Sequence, residues 1–363
     1  MNKISKILNI EFLRVLLTIS IVLFHLRIHL NYLHQPLYTW MYSAFESGRN
    51  AVEGFFILSG LFLMLTFKKD TRLKTFITKK YIRLSPVILF SILLSIISWS
   101  LGCSHLRLFG DLLSVLLLNN FGMYWTIGSN VVLWYTSALF FGLLVYFCIL
   151  KYLQNKSIII ITIITITSYL ILSFIKNGYF GGHDTICYKF LSLGVLRSIA
   201  GIGLGCCIGY LYQKYINLWN TKSLKLLSAT LISILEILCL VYISWWCFYP
   251  HKFIYHIVFV FVFTILLLLF LYNKGFISKF LNNKIWSNIS RYSFSIFVTH
   301  YIIIKILYNY YWRTHKEFVA QHPVLPIVID ILAVIVLGIT TYHLIEKPSM
   351  NILTNLNKKK GKK

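Results

Sequence analysis

Acidic residues are scarce in this chain of 363 residues: 10 Asp and Glu stand against 35 Lys and Arg, and the formal net charge is +25. Charged residues make up only 12% of the sequence, whereas 58% is hydrophobic. Soluble domains contain roughly 45 to 50% apolar residues. No polar segment is long enough to hold a soluble domain, and the longest polar connection lies near residues 103–130. These absences exclude a soluble globular protein and indicate an integral membrane protein.

Several cofactor motifs are also missing. The seven cysteines form no CxxC pair and have no spacing to histidine that suits zinc, so we expect no bound metal. The sequence contains neither a Walker loop nor a dinucleotide-binding glycine fingerprint, so we expect no bound cofactor. The glycine-rich segment GIGLGCCIG, residues 201–209, lies inside an apolar stretch. We interpret its glycines as sites of close helix packing.

Apolar stretches of about 20 residues recur along the whole chain, and each is long enough to cross a bilayer as a helix. They predict an all-α membrane bundle of about ten spans in a single domain, residues 1–350, followed by a basic, disordered cytoplasmic tail at 351–363. The predicted spans are 8–29, 50–67, 84–102, 131–150, 157–175, 190–212, 225–247, 253–272, 292–311 and 324–345.

The distribution of positive charge tests this count. With ten spans and both termini in the cytoplasm, and with Arg27 and Lys225 at the ends of spans counted with the adjoining loops, 24 Lys and Arg fall on the cytoplasmic side, eight on the other side and three within spans. This asymmetry follows the positive-inside rule and favours an even number of spans. It also explains the net charge by topology and by attraction to anionic membrane lipids, so we do not expect nucleic-acid binding.

Arg14 and His25 are the strongest pointers to chemistry, because both lie inside the first apolar stretch. On a helix their side chains share one face, about 16 Å apart along the axis. Ionisable side chains inside a membrane are costly and by default mark a polar pathway or a site. The alternative is that Arg14 extends to the interface while His25 hydrogen-bonds a neighbouring helix.

Two further motifs carry charge next to apolar segments. Glu53 begins the second span and could orient His25 as a general base, or it could simply favour a helix N-terminus. Lys80 and Arg83 are three residues apart at the start of the third span, so they share a helix face. They could bind the phosphates of a nucleotide-like donor or those of lipid headgroups.

Other polar residues in apolar context are more often helix-pairing or interfacial residues than catalysts. We interpret His343 and Glu346, at the end of the last span, as interfacial. The remaining members of this group are Trp134, Arg197, His300, Lys305 and Asp330.

Five segments, in this order along the chain, resemble the acyltransferase-3 family of integral membrane acyltransferases, which modify sugars of bacterial surface polysaccharides and related glycans. The segments are FLRVLLTISIVLFH (12–25), VEGFFILSGLFL (52–63), KKYIRLSP (79–86), RYSFSIFVTH (291–300) and YHLIEKP (342–348).

The resemblance implies a ten-span enzyme of the bacterial cytoplasmic membrane. It would transfer an acyl group, most simply acetyl, from cytoplasmic acyl-CoA to a hydroxyl of a surface glycan or lipid-linked saccharide. The family's Arg-x10-His pattern matches Arg14 and His25, and its Arg-x-x-Arg pattern matches Lys80 and Arg83 with lysine in the first place. The family's acidic residue before FFxLSG matches Glu53.

The implied mechanism assigns these residues separate roles. Lys80 and Arg83 would bind the CoA phosphates, and His25, oriented by Glu53, would act as general base. Arg14, Arg197 or a polar backbone site would stabilise the oxyanion. His300 and Trp134 are further candidates for contact with substrate or oxyanion.

Two other functions remain open from the sequence. In a transporter or flippase of a glycan or lipid-linked sugar, the intramembrane charges would line a permeation path. In a structural or interaction subunit, they would serve assembly alone.

Overall fold

A computed structural model describes residues 7–120, 128–175, 186–188, 191–220, 229–248 and 256–352. In these parts of the chain nearly all of the secondary structure is helical. The long helices are α1 Leu8–Asn31, α3 Ala51–Thr66, α4 Leu73–Ser100, α6 Trp134–Tyr152, α7 Ser157–Phe174, α8 Leu193–Asn220, α9 Ala229–Phe248, α10 His256–Tyr272, α13 Ser293–Ile306 and α15 Leu325–Thr341.

Short elements connect these helices. The short α-helices are α2 Pro36–Ala44, α5 Leu108–Val115, α11 Phe276–Phe280, α12 Lys284–Ser290 and α14 Lys316–Gln321. Three 3₁₀ segments are Glu46–Asn50, Val131–Leu133 and Gln154–Lys156. Two short strands, β1 Ile186–Tyr188 and β2 Leu191–Ser192, pair antiparallel.

The predicted all-α membrane fold is confirmed. Within the described residues, eight helical segments are long and apolar enough to cross a membrane. Each of the ten predicted spans coincides with one long helix, but α10 and α13 are shorter than the eight. The number of spans and the side of each terminus therefore stay predictions, and residues 353–363 of the predicted tail lie outside the described part.

The apolar surface shows that lipid is the solvent of this bundle. On α7 the exposed side chains Ile159, Ile163, Ile166 and Leu170 follow one another at helical spacing. Contiguous apolar faces of this kind are rare on soluble monomers but normal against hydrocarbon.

We call the end of the bundle that holds the start of α1 the inner end, and the end that holds Asn31 and Ile306 the outer end.

Two helices continue as π-helical turns. Leu307–Trp312 extends α13, where the Arg313 amide donates to the Tyr308 carbonyl at 2.9 Å, five residues back. Tyr342–Glu346 extends α15. Such turns hold one residue more than an α-helical turn and frequently occur at functional sites.

Glycines set the contact between α3 and α8. A Cβ atom at Gly205 would lie 1.9 Å from the Ile57 carbonyl oxygen, and one at Gly60 would lie 1.9 Å from the Ile202 carbonyl oxygen. Only glycine permits two helix backbones to approach this closely. The interpretation of the 201–209 segment as a packing surface is confirmed, and we call this contact the glycine seam.

The glycine seam should be intolerant of even one methyl group. We expect Gly205→Ala to lower the free energy of unfolding by about 1 to 3 kcal/mol, because the obstructing atoms are backbone. Thermal unfolding in detergent micelles measures the effect. Gly54→Ala is the matched control, since the nearest atoms there are the terminal methyl groups of the Leu17 side chain. Equal losses in the two variants would contradict the role of the seam.

Candidate active site

Two histidine rings from different helices meet within the bundle. His25, on α1, and His300, on α13, have ring centroids 5.1 Å apart. The ring of Tyr301 lies 5.2 Å from His25 on the same side. His25 is half-buried, whereas His300 is fully buried. Rings this close allow a proton to pass between the imidazoles through one bridging water.

The hydrogen bonds of His300 fix its tautomer. Its Nδ1 lies 2.8 Å from the Phe297 carbonyl oxygen and 3.1 Å from that of Ile296. Carbonyl oxygens only accept, so Nδ1 carries the hydrogen and Nε2 of the neutral ring presents a lone pair. Nε2 is buried and has no hydrogen-bond partner among the described residues. His300 therefore places an unused proton acceptor inside the membrane.

Glu53 pairs with Arg197 and not with His25, so the expected orientation of His25 by Glu53 is wrong. Arg197 Nε donates to Glu53 Oε1 at 2.5 Å, and both side chains are almost completely buried. Glu53 Oε2 accepts no hydrogen bond from a described residue. The carboxylate thus neutralises a guanidinium from α8.

The depth of Glu53 explains this correction. A Cβ atom on the neighbouring Gly54 would touch the Leu17 side chain at 2.8 Å, so the start of α3 lies beside Leu17. Leu17 is eight residues, or about 12 Å, inward of His25 on α1. The sequence analysis placed Glu53 at the beginning of the second span, because α2 and the 3₁₀ segment, which precede α3, could not be told from a loop.

Positive side chains gather at the inner end. Arg14, Lys80 and Arg83 are close enough to interact electrostatically with one another. Arg14 is held by Glu11 at 3.3 Å, and the same Glu11 oxygen accepts from Ser290 Oγ at 2.6 Å. Lys80 and Arg83 make no side-chain hydrogen bond within the described residues. The buried carboxylate of Glu346 lies within electrostatic range of Arg83, but the three cations outnumber it, so the cluster can bind an anionic ligand.

Aromatic side chains connect this cationic cluster with the two histidines. Tyr135 lies within electrostatic range of Arg14 and Arg83. The Tyr135 ring lies 4.8 Å from that of Phe297, which in turn lies 5.9 Å from His300. Side chains of α6 and α13 thus lead from the neighbourhood of the inner cations to the imidazole pair.

Of the other predicted residues, Trp134 belongs to the buried part of the site, whereas Asp330 connects two helices. Trp134 lies under the Arg197 guanidinium, whose central carbon is 5.3 Å from the ring, so it belongs to the buried ion pair. Asp330 accepts from Trp312 Nε1 at 2.9 Å and joins α15 to the π-helical turn after α13.

Glu346 is not interfacial, contrary to expectation. It is buried and accepts a hydrogen bond from Ser295 Oγ at 2.6 Å, because the π-helical turn at residues 342–346 directs it toward α13. His343, three residues earlier, is exposed as expected.

Three residues of this site were missed by the sequence analysis. Glu11 and Tyr135 gave no signal, because a carboxylate one turn before Arg14 and a tyrosine in an aromatic-rich chain are both common. His29 did give one, since it lies four residues after His25 on the same helix face. No group of three or more potential metal ligands occurs among the described residues.

Buried imidazoles, an ion pair and a cationic inner end in one membrane bundle define a polytopic protein with an intramembrane site for chemistry or transport. A family model described as "Acyltransferase domain" matches residues 7–343, nearly the whole chain. The chain belongs to the acyltransferase-3 family and is a membrane acyltransferase. No curated protein and no solved structure matches it.

The buried pair predicts a strong double-mutant coupling. Glu53→Gln and Arg197→Met should each lower the free energy of unfolding by about 3 to 5 kcal/mol, because each leaves a buried partner uncompensated. The double variant should lose much less than the sum of the two. Unfolding in detergent measures all three.

The ion pair between Glu46 and Arg49 is the matched control. Because the Glu46 carboxylate is partly solvated, we expect Glu46→Gln to lower the free energy of unfolding by only about 0 to 1 kcal/mol. Additive losses for Glu53 and Arg197 would show that the two charges do not depend on each other.

Proposed function

We propose that the protein is an O-acyltransferase of the bacterial cytoplasmic membrane. It moves an acyl group, most simply acetyl, from cytoplasmic acyl-CoA to a hydroxyl of a surface glycan or lipid-linked saccharide on the other side. The contact between His25 and His300, joined through Phe297 and Tyr135 to the cationic inner end, is the observation that supports the proposal most directly.

The donor binds at the inner end. Lys80 and Arg83 lack side-chain hydrogen bonds to described residues, and charge-assisted hydrogen bonds to phosphate would satisfy both. Arg14, on the face of α1 that leads to His25, adds a third cation. The pantetheine arm then extends outward past Arg14, and it must cover about 16 Å from the level of Arg14 to that of His25.

The reaction takes place at the imidazole pair. His25, the more accessible ring, removes the proton of the sugar hydroxyl while the hydroxyl oxygen attacks the thioester carbonyl carbon. The tetrahedral intermediate collapses with cleavage of the carbon–sulfur bond, and the CoA thiolate receives the proton. His300, with its unused Nε2 acceptor, stabilises the protonated state of His25.

Neither arginine lies at the level of the imidazole pair. Arg197 is bound to Glu53, which lies beside Leu17, about 12 Å inward of His25. Arg14 lies about 16 Å inward of His25 and is partnered by Glu11. A preorganised donor in a site of low dielectric strongly stabilises developing negative charge, so a polar backbone site beside the imidazoles is the candidate for binding the oxyanion.

Replacement of either histidine tests the catalytic step. His25→Ala and His300→Ala should each slow acyl transfer, and the loss for His25 should be about 10²- to 10⁴-fold, the usual contribution of a general base. The assay uses purified protein in proteoliposomes with labelled acetyl-CoA and a glycan acceptor. His322→Ala, at an exposed histidine, is the control.

A folded His25→Ala protein that labels the glycan at the wild-type rate would contradict the mechanism. Movement of the glycan across the bilayer without covalent label would instead identify a transporter or flippase.

Replacement of the inner cations tests the donor site. Lys80→Ala and Arg83→Ala should raise the KM for acyl-CoA by about 10- to 100-fold, since a hydrogen bond to a charged group contributes about 1.5 to 3 kcal/mol. Lys79→Ala, at the exposed neighbouring lysine, should leave KM unchanged. If KM changed only with the anionic lipid content of the vesicles, these residues would bind headgroups and not the donor.

A further inference from the structure

An aromatic and basic cluster lies directly outward of the two histidines. It contains His29 of α1 and Tyr32, the residue directly after α1. These two residues face Tyr301, Lys305 and Tyr308 of α13 and its π-helical turn. The ring of His29 lies 5.5 Å from Tyr301 and 5.6 Å from Tyr308, and Tyr32 lies 6.0 Å from Tyr308. With Arg107, these residues form what we call the outer cluster.

The outer cluster continues the two helix faces that carry the imidazole pair. His25, His29 and Tyr32 are spaced four and three residues apart, so they follow one another on one face of α1. Tyr301 and Lys305 have the same spacing on α13. His25 and His29 contact Tyr301, whereas His29 and Tyr32 contact Tyr308, which is further along the chain. The two helix faces therefore run outward side by side, and a ligand bound between them is adjacent to His25.

Lys305 has no acidic partner. Its half-buried side chain makes no hydrogen bond or ion pair within the described residues, and the groups that interact with it electrostatically are His29, Arg107 and Cys103. The nearby carboxylate of Asp111 accepts from the Ser129 amide at 2.7 Å and from the Ser129 hydroxyl at 2.6 Å, and it interacts electrostatically with Arg107 but not with Lys305. Lys305 therefore leaves the outer cluster with a net positive charge, on the side of the membrane where the positive-inside rule disfavours cations.

His29 supplies a second unsatisfied group. It is buried, 8% exposed, and its Nε2 has no hydrogen-bond partner among the described residues. A buried polar atom without a partner is costly unless a ligand or water satisfies it. A lone cation and an unsatisfied imidazole nitrogen, set among three tyrosines, together describe a site for a ligand that is polar and negatively charged.

We propose that the outer cluster binds an acidic substituent, a carboxylate or a phosphate, of the acceptor saccharide. The tyrosine rings pack on the sugar, and Lys305 and Arg107 bind the anion by charge-assisted hydrogen bonds. Lys305 lies about 6 Å outward of Tyr301 along α13, so the acidic group is on the acylated sugar or its neighbour. This inference rests on the proposed function, since it names the acceptor of that reaction.

Binding measurements in neutral detergent test the inference without the need for catalysis. The probes are a galacturonic acid trisaccharide, the galactose trisaccharide obtained by reduction of its carboxyl groups, and galactose 6-phosphate. The wild-type protein should bind at least one acidic probe more tightly than the neutral trisaccharide. Lys305→Met should weaken that binding by about 10- to 100-fold and leave the neutral trisaccharide unchanged.

Two further variants separate charge from structure. Lys305→Arg should restore most of the affinity for the acidic probe, because it keeps the positive charge. Lys316→Met, at an exposed lysine beyond the same helix, should have no effect. Thermal unfolding of each variant shows whether it is folded.

Three results would overturn the inference: a preference for the neutral trisaccharide, an equal loss for acidic and neutral probes in Lys305→Met, or Lys305-dependent binding of anionic lipid with none of the acidic saccharides. Failure of the proposed function gives a different pattern. Acidic saccharide would then bind in a Lys305-dependent manner, but acetyl-CoA would leave it unlabelled.

Discussion

The ion pair between Glu53 and Arg197 is the interaction on which the arrangement of the bundle depends. Neither charge is tolerable alone at this depth, because isolated ions in a medium of low dielectric lose far more solvation than they regain. The pair therefore requires α3 and α8 to stay in one register. The glycine seam permits it, since Gly60 and Gly205, each about two turns along its helix from the ion pair, bring the two backbones close together.

The site is organised along the face of α1 that points toward α4 and α13. Arg14 lies near the inner cations, His25 meets His300, and His29 leads to the outer cluster. A single helix thus carries one group for each stage of the proposed acyl transfer. Helices α7 and α9 expose much of their surface to lipid and contribute less to this face.

Much of this arrangement could be predicted from the sequence where the signal was local. The positions of the long helices followed from apolar stretches, and the shared face of Arg14 and His25 followed from their spacing. The packing role of the 201–209 glycines followed from their apolar context. The partner of Glu53 could not be predicted, because it comes from a helix 144 residues further along the chain. Glu346 was misplaced because a π-helical turn leaves no mark in hydropathy.

The π-helical turn after α13 limits how the chain length can vary there. Tyr308 at its start contacts His29, while Trp312 at its end donates to Asp330 on α15. Insertion or deletion of one residue between them would rotate one contact by about 100° relative to the other. Substitutions elsewhere in this segment can preserve both contacts. A change of its length by one residue would disrupt either the contact of Tyr308 with His29 in the outer cluster or the hydrogen bond of Trp312 to α15.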